Sequence, residues 1–563
     1  MNNVCFKLTS TVVSACLAWS ALVCQPAAAQ SLPKPAAVIS IANLDDTLAD
    51  IDYLVDASGF GQMKFMIQTQ ITHFLKGVDP TRPSGVLLYM DEGAEQPTAL
   101  GFVPVEELDD LLDTLSGFAE VDEGDDYTTI ITDDGNEILI KQVGNHAFIS
   151  DKAEMFQRIP DVPPASLLGD LPTRFNVAAR LFGQQIPKAM REKAITTIQD
   201  AYEKQLEQLE SGDEDSAQAA LQRTSYEINM KQIKDLILET DQLAFGMLID
   251  EENKTLSSEI EIIGTENSTL AKRAAANMNP EKSRFTGFVI PNATFTAISR
   301  TNLIEEDLEQ YTQLSETGID AIVKSINEES DLTAEEVDAI KKAMADLSTA
   351  LLETMKEGVT DAGLAVTLGK GDVNLAGGFA ITDPKKVEQV AKDLAAEFEG
   401  KLAELGTVKL NSGAHKDVTF HTFTLKTPED TEELIDAVGE QIQIVIGIGP
   451  QETYFAAGSS PSELLIRAID GNGTVDVPAT LGMYKLYIAP IVDFVATIQP
   501  DDFGMAQKMA DALTAGGRDQ LQYELKPLKN GFSIRGDLQD GVLELIQVAT
   551  EAMAQPRGQG GNF

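Results

Sequence analysis

Two stretches set far apart in the chain share one grammar. "GNHAFISDKAEMFQRI" (144–159) and "ETYFAAGSSPSELLIRAI" (452–469) each read as an apolar run, a small polar break and a segment with hydrophobics at helical spacing. A chain that repeats its own order of elements builds the same supersecondary unit more than once. The recurrence limits the choice of fold more than any single motif here does.

The surrounding sequence extends the repeat. "AAVISIA" (36–42) is a strand by its β-branched content, and 44–75 follows as two amphipathic helices broken at Gly59 and Gly61. "GVLLYM" and "PTALGFVPV" form a hairpin-like pair, and Leu108, Leu111, Leu112 and Leu115 set an apolar stripe on a helix. Strands "YTTIIT", "EILIKQV" and "HAFIS" come next, the first two joined by a turn at 133–136, where Gly135 and Asn136 tolerate positive φ. Strand "FNVAARLF", helices over 185–240 with a polar turn at 210–217, strands "LAFGMLID" and "LSSEIEII" and a helix beginning near Thr265 complete the first half.

The second half runs in parallel. "TFTAISR" opens it, a long helical pair fills 304–358, and Thr333 with Glu336 forms a capping box before the second helix. "GLAVTLGKGDVNLAGGFAIT" matches the earlier strand pair, with Gly378-Phe379 answering to Gly101-Phe102 and a helix over 387–394 answering to 108–115. "VKLNSG", "DVTFHTFTL" and "IQIVIGI" lead into "TYFAAG". A last unit has strand "YKLYIAP", helices over 491–514, a strand pair around Lys529-Asn530-Gly531 and a final helix ending near Met553. The expected fold is α+β, two tandemly duplicated halves, each mainly antiparallel sheet with helices packed on one face. The expected division is a leader at 1–29, a first half at 30–280, a second half at 281–554 and a disordered tail at 555–563.

The N-terminus reads as a secretory leader. Lys7 ends a short basic region, "TVVSACLAWSALVC" is apolar, and Ala27 and Ala29 supply the small residues of a cleavage site after Ala29. The apolar run is too short to span a bilayer, and a lipidated Cys16 after "VSA" is the alternative processing. Cys5, Cys16 and Cys24 are the only cysteines and all precede the cut. The mature chain therefore has no disulfide, thiolate nucleophile or cysteine-bound metal, and packing alone must stabilise it. The expected address is periplasmic or secreted, with no transmembrane span once the leader is gone.

Charge excludes some partners. With 43 Lys+Arg against 89 Asp+Glu the chain carries −46, and removing Lys7 with the leader gives 42 − 89 = −47. Such a surface repels phosphate backbones and anionic head groups, so nucleic acid is not an expected partner. A hydrophobic content of 43% separates the chain from solvated acidic tails.

Catalytic and metal-binding patterns are thin. "AAGSSPSE" lacks the second glycine of a nucleophile elbow, and "SLPK" (31–34) fits S-x-x-K only beside the cleavage site. His73, His146, His415 and His421 are scattered without H-x-H or H-E-x-x-H spacing. The acidic runs 122–126 and 133–137 lack the spacing of a calcium loop and read as solvated turns. "GKGD" (369–372) reads as a hairpin turn rather than a phosphate loop, and sequons begin at Asn253, Asn267, Asn292 and Asn472. In the opening motif, Ser150 or Asp151 is expected to cap the following helix, since Ala457 and Gly458 stand near the same places in the later copy. No catalytic, cofactor or metal residue is assigned.

"HAFISDKAEMFQRI", "TYFAAGSSPSELLIRAI" and "LGFVPVEELDDLLDTL" resemble exported bacterial proteins of a domain-of-unknown-function kind built from repeated strand and helix modules. The resemblance implies an envelope or secreted protein and brings no catalytic residues. The expected function is a non-enzymatic scaffold or binding protein whose partner is another protein or an envelope component. Two alternatives stay open. One is a hydrolase with carboxylates converging from distant segments, and the other a carrier of a hydrophobic ligand, suggested by apolar helix faces such as "MKFMIQTQITHFL".

Overall fold

The structure is a computed structural model. It describes residues 34–57, 64, 75–94, 96–210, 217–329, 332–427, 435, 438–498, 513 and 518–543. The leader, "SLP" of the S-x-x-K match, Met63, "FMIQTQITHF" with His73, much of the expected helices at 491–514 and of the final helix ending near Met553, and the tail all lie outside the described residues. The chain forms two compact units, Met1–Ala194 with Ile237–Ile262 and Ile195–Leu236 with Ile263–Phe563.

The first unit holds strands β1 (Ala37–Ile41), β2 (Ser84–Tyr89), β3 (Thr98–Pro104), β4 (Glu120–Glu123), β5 (Thr128–Ile131), β6 (Glu137–Val143), β7 (His146–Ser150), β8 (Val177–Phe182), β9 (Thr240–Asp250) and most of β10 (Thr255–Gly264). Among the described residues its α-helices are α1 (Leu44–Ala57), α2 (Leu108–Leu115) and the single turn α3 (Leu171–Arg174). Two long helices, α4 (Lys188–Glu210) and α5 (Ala217–Glu239), run between β8 and β9. Their greater part clusters with the second unit, where Thr224 Oγ1 donates to Thr317 Oγ1 at 3.3 Å and Gln232 Nε2 to Gln310 Oε1 at 2.9 Å.

The second unit continues with α6 (Thr269–Asn277), β11 (Phe295–Asn302), α7 (Glu305–Glu329), α8 (Ala334–Met355), β12 (Val359–Thr367), β13 (Asn374–Ala380), α9 (Pro384–Glu397) and α10 (Glu399–Leu405). Then come β14 (Gly406–His415), β15 (Val418–Lys426), β16 (Gln441–Ile448), β17 (Glu452–Gly458), α11 (Pro461–Gly471), β18 (Gly482–Tyr487), α12 (Ala489–Ile498), β19 (Gln520–Leu528) and β20 (Gly531–Gln539).

Local chemistry explains many of these boundaries. Thr333 accepts from Glu336 N while the Glu336 carboxylate accepts from Thr333 N, closing the expected capping box at α8. Ser268 caps α6 by accepting from Ala271 N, and prolines at the first helical positions open α9 and α11. Gly135, Gly371 and Asn530 sit at positive φ where hairpins turn back.

Hydrogen-bond registers give the first sheet the order β10–β9–β8–β1–β2–β3–β7–β6–β5–β4, antiparallel from β9 onward. The second sheet reads β20–β19–β18–β11–β12–β13–β17–β16–β15–β14, antiparallel throughout. Adding ten to each strand number turns the first order into the second. β4, the counterpart of β14, is absent from the sequence expectation because "EVDE" has three carboxylates in four residues and no β-rich run.

Each sheet packs a dry face. In the first unit Val38, Leu87, Leu100, Phe102 and Phe148 meet Met155, Leu168 and Leu171 from the segment after β7. In the second, Ile298, Ala365, Ala376 and Tyr454 meet Phe285 and Phe288 from the segment before β11, and Leu464, Leu465 and Ala468 of α11. The opposite face of the second sheet carries Phe379, Ile446 and Ile448 against Leu347 and Ala350 of α8 and Val387 of α9. Helices therefore sit on both faces, which corrects the one-face expectation: residues alternate across a strand, and both sets are apolar here.

Register also corrects one sequence match. Phe102 opposes Phe148 in the first dry face, and the equivalent row in the second unit pairs Gly378 with Tyr454. Gly101 thus answers to Gly377, not Gly378, and a one-residue slip moves Phe379 to the other face. At Gly378 the missing ring comes from elsewhere: a Cβ there would stand 2.7 Å from Phe285 Cε1. Gly85 and Gly363 occupy matching positions beside these rows, and each lies too close to packed side chains to accept a Cβ, with Leu168 and Phe285 at 2.8 and 2.7 Å.

A buried ion pair ties β11 to β12 and to the segment before them. Asp361, 3% exposed, accepts from Ser283 Oγ at 2.5 Å, Arg284 N at 3.0 Å and Arg300 Nη1 at 2.8 Å. The three donors supply the partners that a desolvated carboxylate requires. Asp361→Ala leaves Ser283 Oγ and Arg284 N without their acceptor and Arg300 with Glu281 as its remaining carboxylate, so urea unfolding should show a loss of about 2 kcal/mol. A loss below about 0.5 kcal/mol would show that the pair behaves like an exposed one.

Candidate ligand-binding face

The faces opposite the dry cores are the site of interest. In the second unit one hydrogen-bonded row runs Tyr523–Tyr484–Ala297–Leu364–Gly377–Phe455 across six strands. The matching row of the first unit is Phe245–Ala179–Ile39–Val86–Gly101–Ile149. Both rows are apolar at every position, and both carry glycine at the fifth.

Alternation assigns the remaining residues of this face. On β16 it presents Ile442, Ile444, Ile446 and Ile448; on β19, Leu521, Tyr523, Leu525 and Pro527; on β20, Phe532, Ile534, Gly536 and Leu538. Among the described strands from β20 across to β15, no residue on this face carries a formal charge. The charges of β19 and β20 point the other way, where Lys526 meets Glu524 at 2.8 Å and Arg535 meets Asp537 at 3.0 Å.

Among the described residues, only part of the face is covered. α8 and α9 close one end over Phe379, Ile446 and Ile448. Elsewhere Phe455, Tyr484, Tyr523 and Ile534 are 37%, 39%, 43% and 39% exposed, and the apolar side chains between them are half-buried. At about 200 Å² per ring, the three rings alone show roughly 250 Å² of aromatic surface to solvent. Phe455 lies against the sheet, since a Cβ on its cross-strand neighbour Gly377 would come within 2.3 Å of its Cζ. Such an aromatic over a cross-strand glycine steadies the strand pair and turns a ring face outward.

In the first unit α2 covers the equivalent region more fully. Leu108, Leu111, Leu112 and Leu115 pack with Val103, Ala147, Ile149, Ile130 and Ile140, as the leucine stripe predicts, and Leu44 of α1 joins them. Phe245 and Val177, 37% and 39% exposed, mark the uncovered end. A separate cleft of about 500 Å³ lies in the same unit, lined by Met90, Ile186, Pro187 and Met190 with Lys188 and Arg191 at the start of α4. Arg191 Nη1 there donates to Leu238 O at 2.9 Å, so the guanidinium serves the backbone.

The residues singled out by chemistry do not converge. His146 is buried, with Arg82 Nη2 3.1 Å from its Nε2; burial, and then that cation, hold the ring below its usual pKa. His421 lies on the uncharged face under α9 and is fully buried. Asn411 N donates to its Nδ1 at 3.2 Å, placing the proton on Nε2, 3.6 Å from Glu388 Oε1. Burial lowers its pKa against the pull of Glu388. His415 pairs with Asp470 at 2.8 Å.

Ser459 and Ser460 both donate to Asp372 Oδ1, at 2.9 and 2.8 Å. Those donors and Asn374 hold the Asp372 carboxyl below its usual range, which makes it a turn acceptor and a poor base. Ser150 does not cap a helix as expected. It donates to Ala99 O across the sheet at 2.8 Å, and the following segment is a 3-10 helix with Lys152 at its N-cap and no side-chain cap. The acidic run 133–137 is an exposed turn in which Asp134 accepts from Thr132 and Asn136, and the described residues hold no cluster of three metal-ligating side chains. Of the sequon asparagines, Asn267 and Asn292 stand at positive φ on exposed turns, and Asn472 is tied to Gly287 N and the Tyr454 hydroxyl.

The sequence signal of the uncharged face is the alternation of apolar with polar or charged residues in "LQYELKPL" and "GFSIRGDLQ". No protein family, curated protein or solved structure matches this chain. Among the described residues, no helix is long and apolar enough to cross a membrane.

One titrating contact bears on how the first face is covered. Asp50 of α1, 8% exposed, accepts from Asn176 Nδ2 at 2.5 Å beside β8. Burial first, then Glu251 and Asp46, raise its pKa to about 6. The folded value exceeds that of an unfolded aspartate, roughly 3.9. The contribution to stability is therefore full below that lower value and is lost as pH rises through about 6. Asp50→Asn should raise stability at pH 8 by on the order of 2 kcal/mol and change it little at pH 4, as read by urea unfolding at both pH values. An equal gain at both would separate the effect from titration.

Proposed function

We propose that the protein is an exported, non-enzymatic binding protein that holds an apolar ligand against the uncharged sheet face, and that its halves descend from one duplicated α+β module. The carrying observation is the uncovered, charge-free face of the second sheet, in a chain whose residues are 23% charged. A contiguous apolar surface of this kind on a folded chain marks a place where something apolar docks. Its counterpart in the first sheet, with apolar residues at all six row positions and glycine at the fifth, supports a feature kept through duplication.

Duplication draws further support from the identical strand order and from Gly85 and Gly363, which stand at matching positions against packed side chains. The non-enzymatic reading rests on how the polar candidates are used: each described histidine and serine examined above serves a local structural bond. Export rests on the leader-like N-terminus.

Purification without detergent, followed by native mass spectrometry and organic extraction, should yield a small apolar molecule that leaves on denaturation. Ile534→Glu and Tyr523→Glu change exposed side chains and should leave the fold intact by circular dichroism. They should lower affinity for a fluorescent apolar probe about tenfold. Unchanged probe affinity in both variants would remove the face as the site.

A further inference from the structure

We infer that the face of the second unit selects amphiphiles with an uncharged head group over anionic ones of the same tail length. This rests on the apolar-ligand reading proposed above and adds the ligand's charge class.

Three observations carry it. The face from β20 across to β15 has no lysine or arginine that could pair with a carboxylate or sulfate, and the cations of β19 and β20, Lys526 and Arg535, are engaged on the other side of the sheet. An anionic head brought to this surface would lose hydration without gaining an ion pair. The chain as a whole carries −46, so its field opposes the approach of an anion before contact. Finally, the polar groups standing among the exposed rings are uncharged: Tyr484 and Tyr523 are cross-strand neighbours with phenol groups that both donate and accept. A hydroxyl-rich neutral head can use both functions; a carboxylate can use only the donor.

Isothermal titration of the full chain with dodecyl maltoside and with dodecanoate, each below its micelle concentration, tests the inference. At low ionic strength the maltoside should bind about tenfold tighter than dodecanoate, and salt should narrow the gap without closing it, because screening removes the long-range field but not the missing counter-ion. Tyr523→Lys places a cation on the face and should reverse the preference, strengthening dodecanoate about fivefold and weakening the maltoside. Tyr523→Leu keeps the face uncharged and should keep the original order.

Equal binding of both probes to the parent protein, or a Tyr523→Lys variant with the parent's preference, overturns the charge rule and leaves the apolar site standing. Failure of both probes to bind overturns the apolar-ligand reading itself.

Discussion

Antiparallel alternation is the constraint from which the rest follows. Each strand has two faces, and the register that places Gly101 opposite Ile149 and Gly377 opposite Phe455 decides which side chains share a face across the whole sheet. In the second unit that register sends Glu524, Lys526, Arg535 and Asp537 one way and Tyr523, Leu525, Ile534 and Leu538 the other. A slip of one residue in β19 or β20 would put charges among the apolar side chains of the neighbouring strands. The uncharged face and the sheet's pairing are thus one property.

The two units reach the same packing by different means. In the first, a ring on the sheet itself, Phe102, fills the space beside Gly85 and Phe148. In the second the sheet position is Gly378, and Phe285 arrives from the segment before β11 to form a triangle of rings with Phe288 and Tyr454, at ring distances of 6.0 and 5.9 Å. Protein interiors are close-packed, so a sheet position that carries glycine where its counterpart carries a ring is filled by a side chain from elsewhere. This exchange also explains why comparison of the two halves by residue type is misleading: the volume is retained while the residue that supplies it moves.

Features that depend on neighbours in sequence were legible. The Thr333–Glu336 capping box, the leucine stripe of α2, the long helices between β8 and β9 and between β11 and β12, and the turns at Gly135, Gly371 and Asn530 all follow from short-range chemistry. Features that depend on partners distant in sequence were not. Ser150 resembles a cap only until Ala99 is placed across from it, and β4 reads as a solvated acidic run until β5 pairs with it. Coverage is likewise invisible: an apolar strand face looks the same in sequence whether a helix lies on it, as α9 does at Phe379, or leaves it open, as at Tyr523. The candidate site is therefore made of residues that were read correctly as strand and could not be read as exposed.

An open apolar face is ordinarily a hazard, because two copies can bury it against each other. Here the same chain carries a charge of −46. Two copies approaching face to face must bring two large like charges together, and that repulsion acts before the apolar surfaces touch. A small neutral ligand meets no such barrier. The excess of carboxylates, which on its own argues against nucleic acid as a partner, also opposes the face-to-face approach of a second copy.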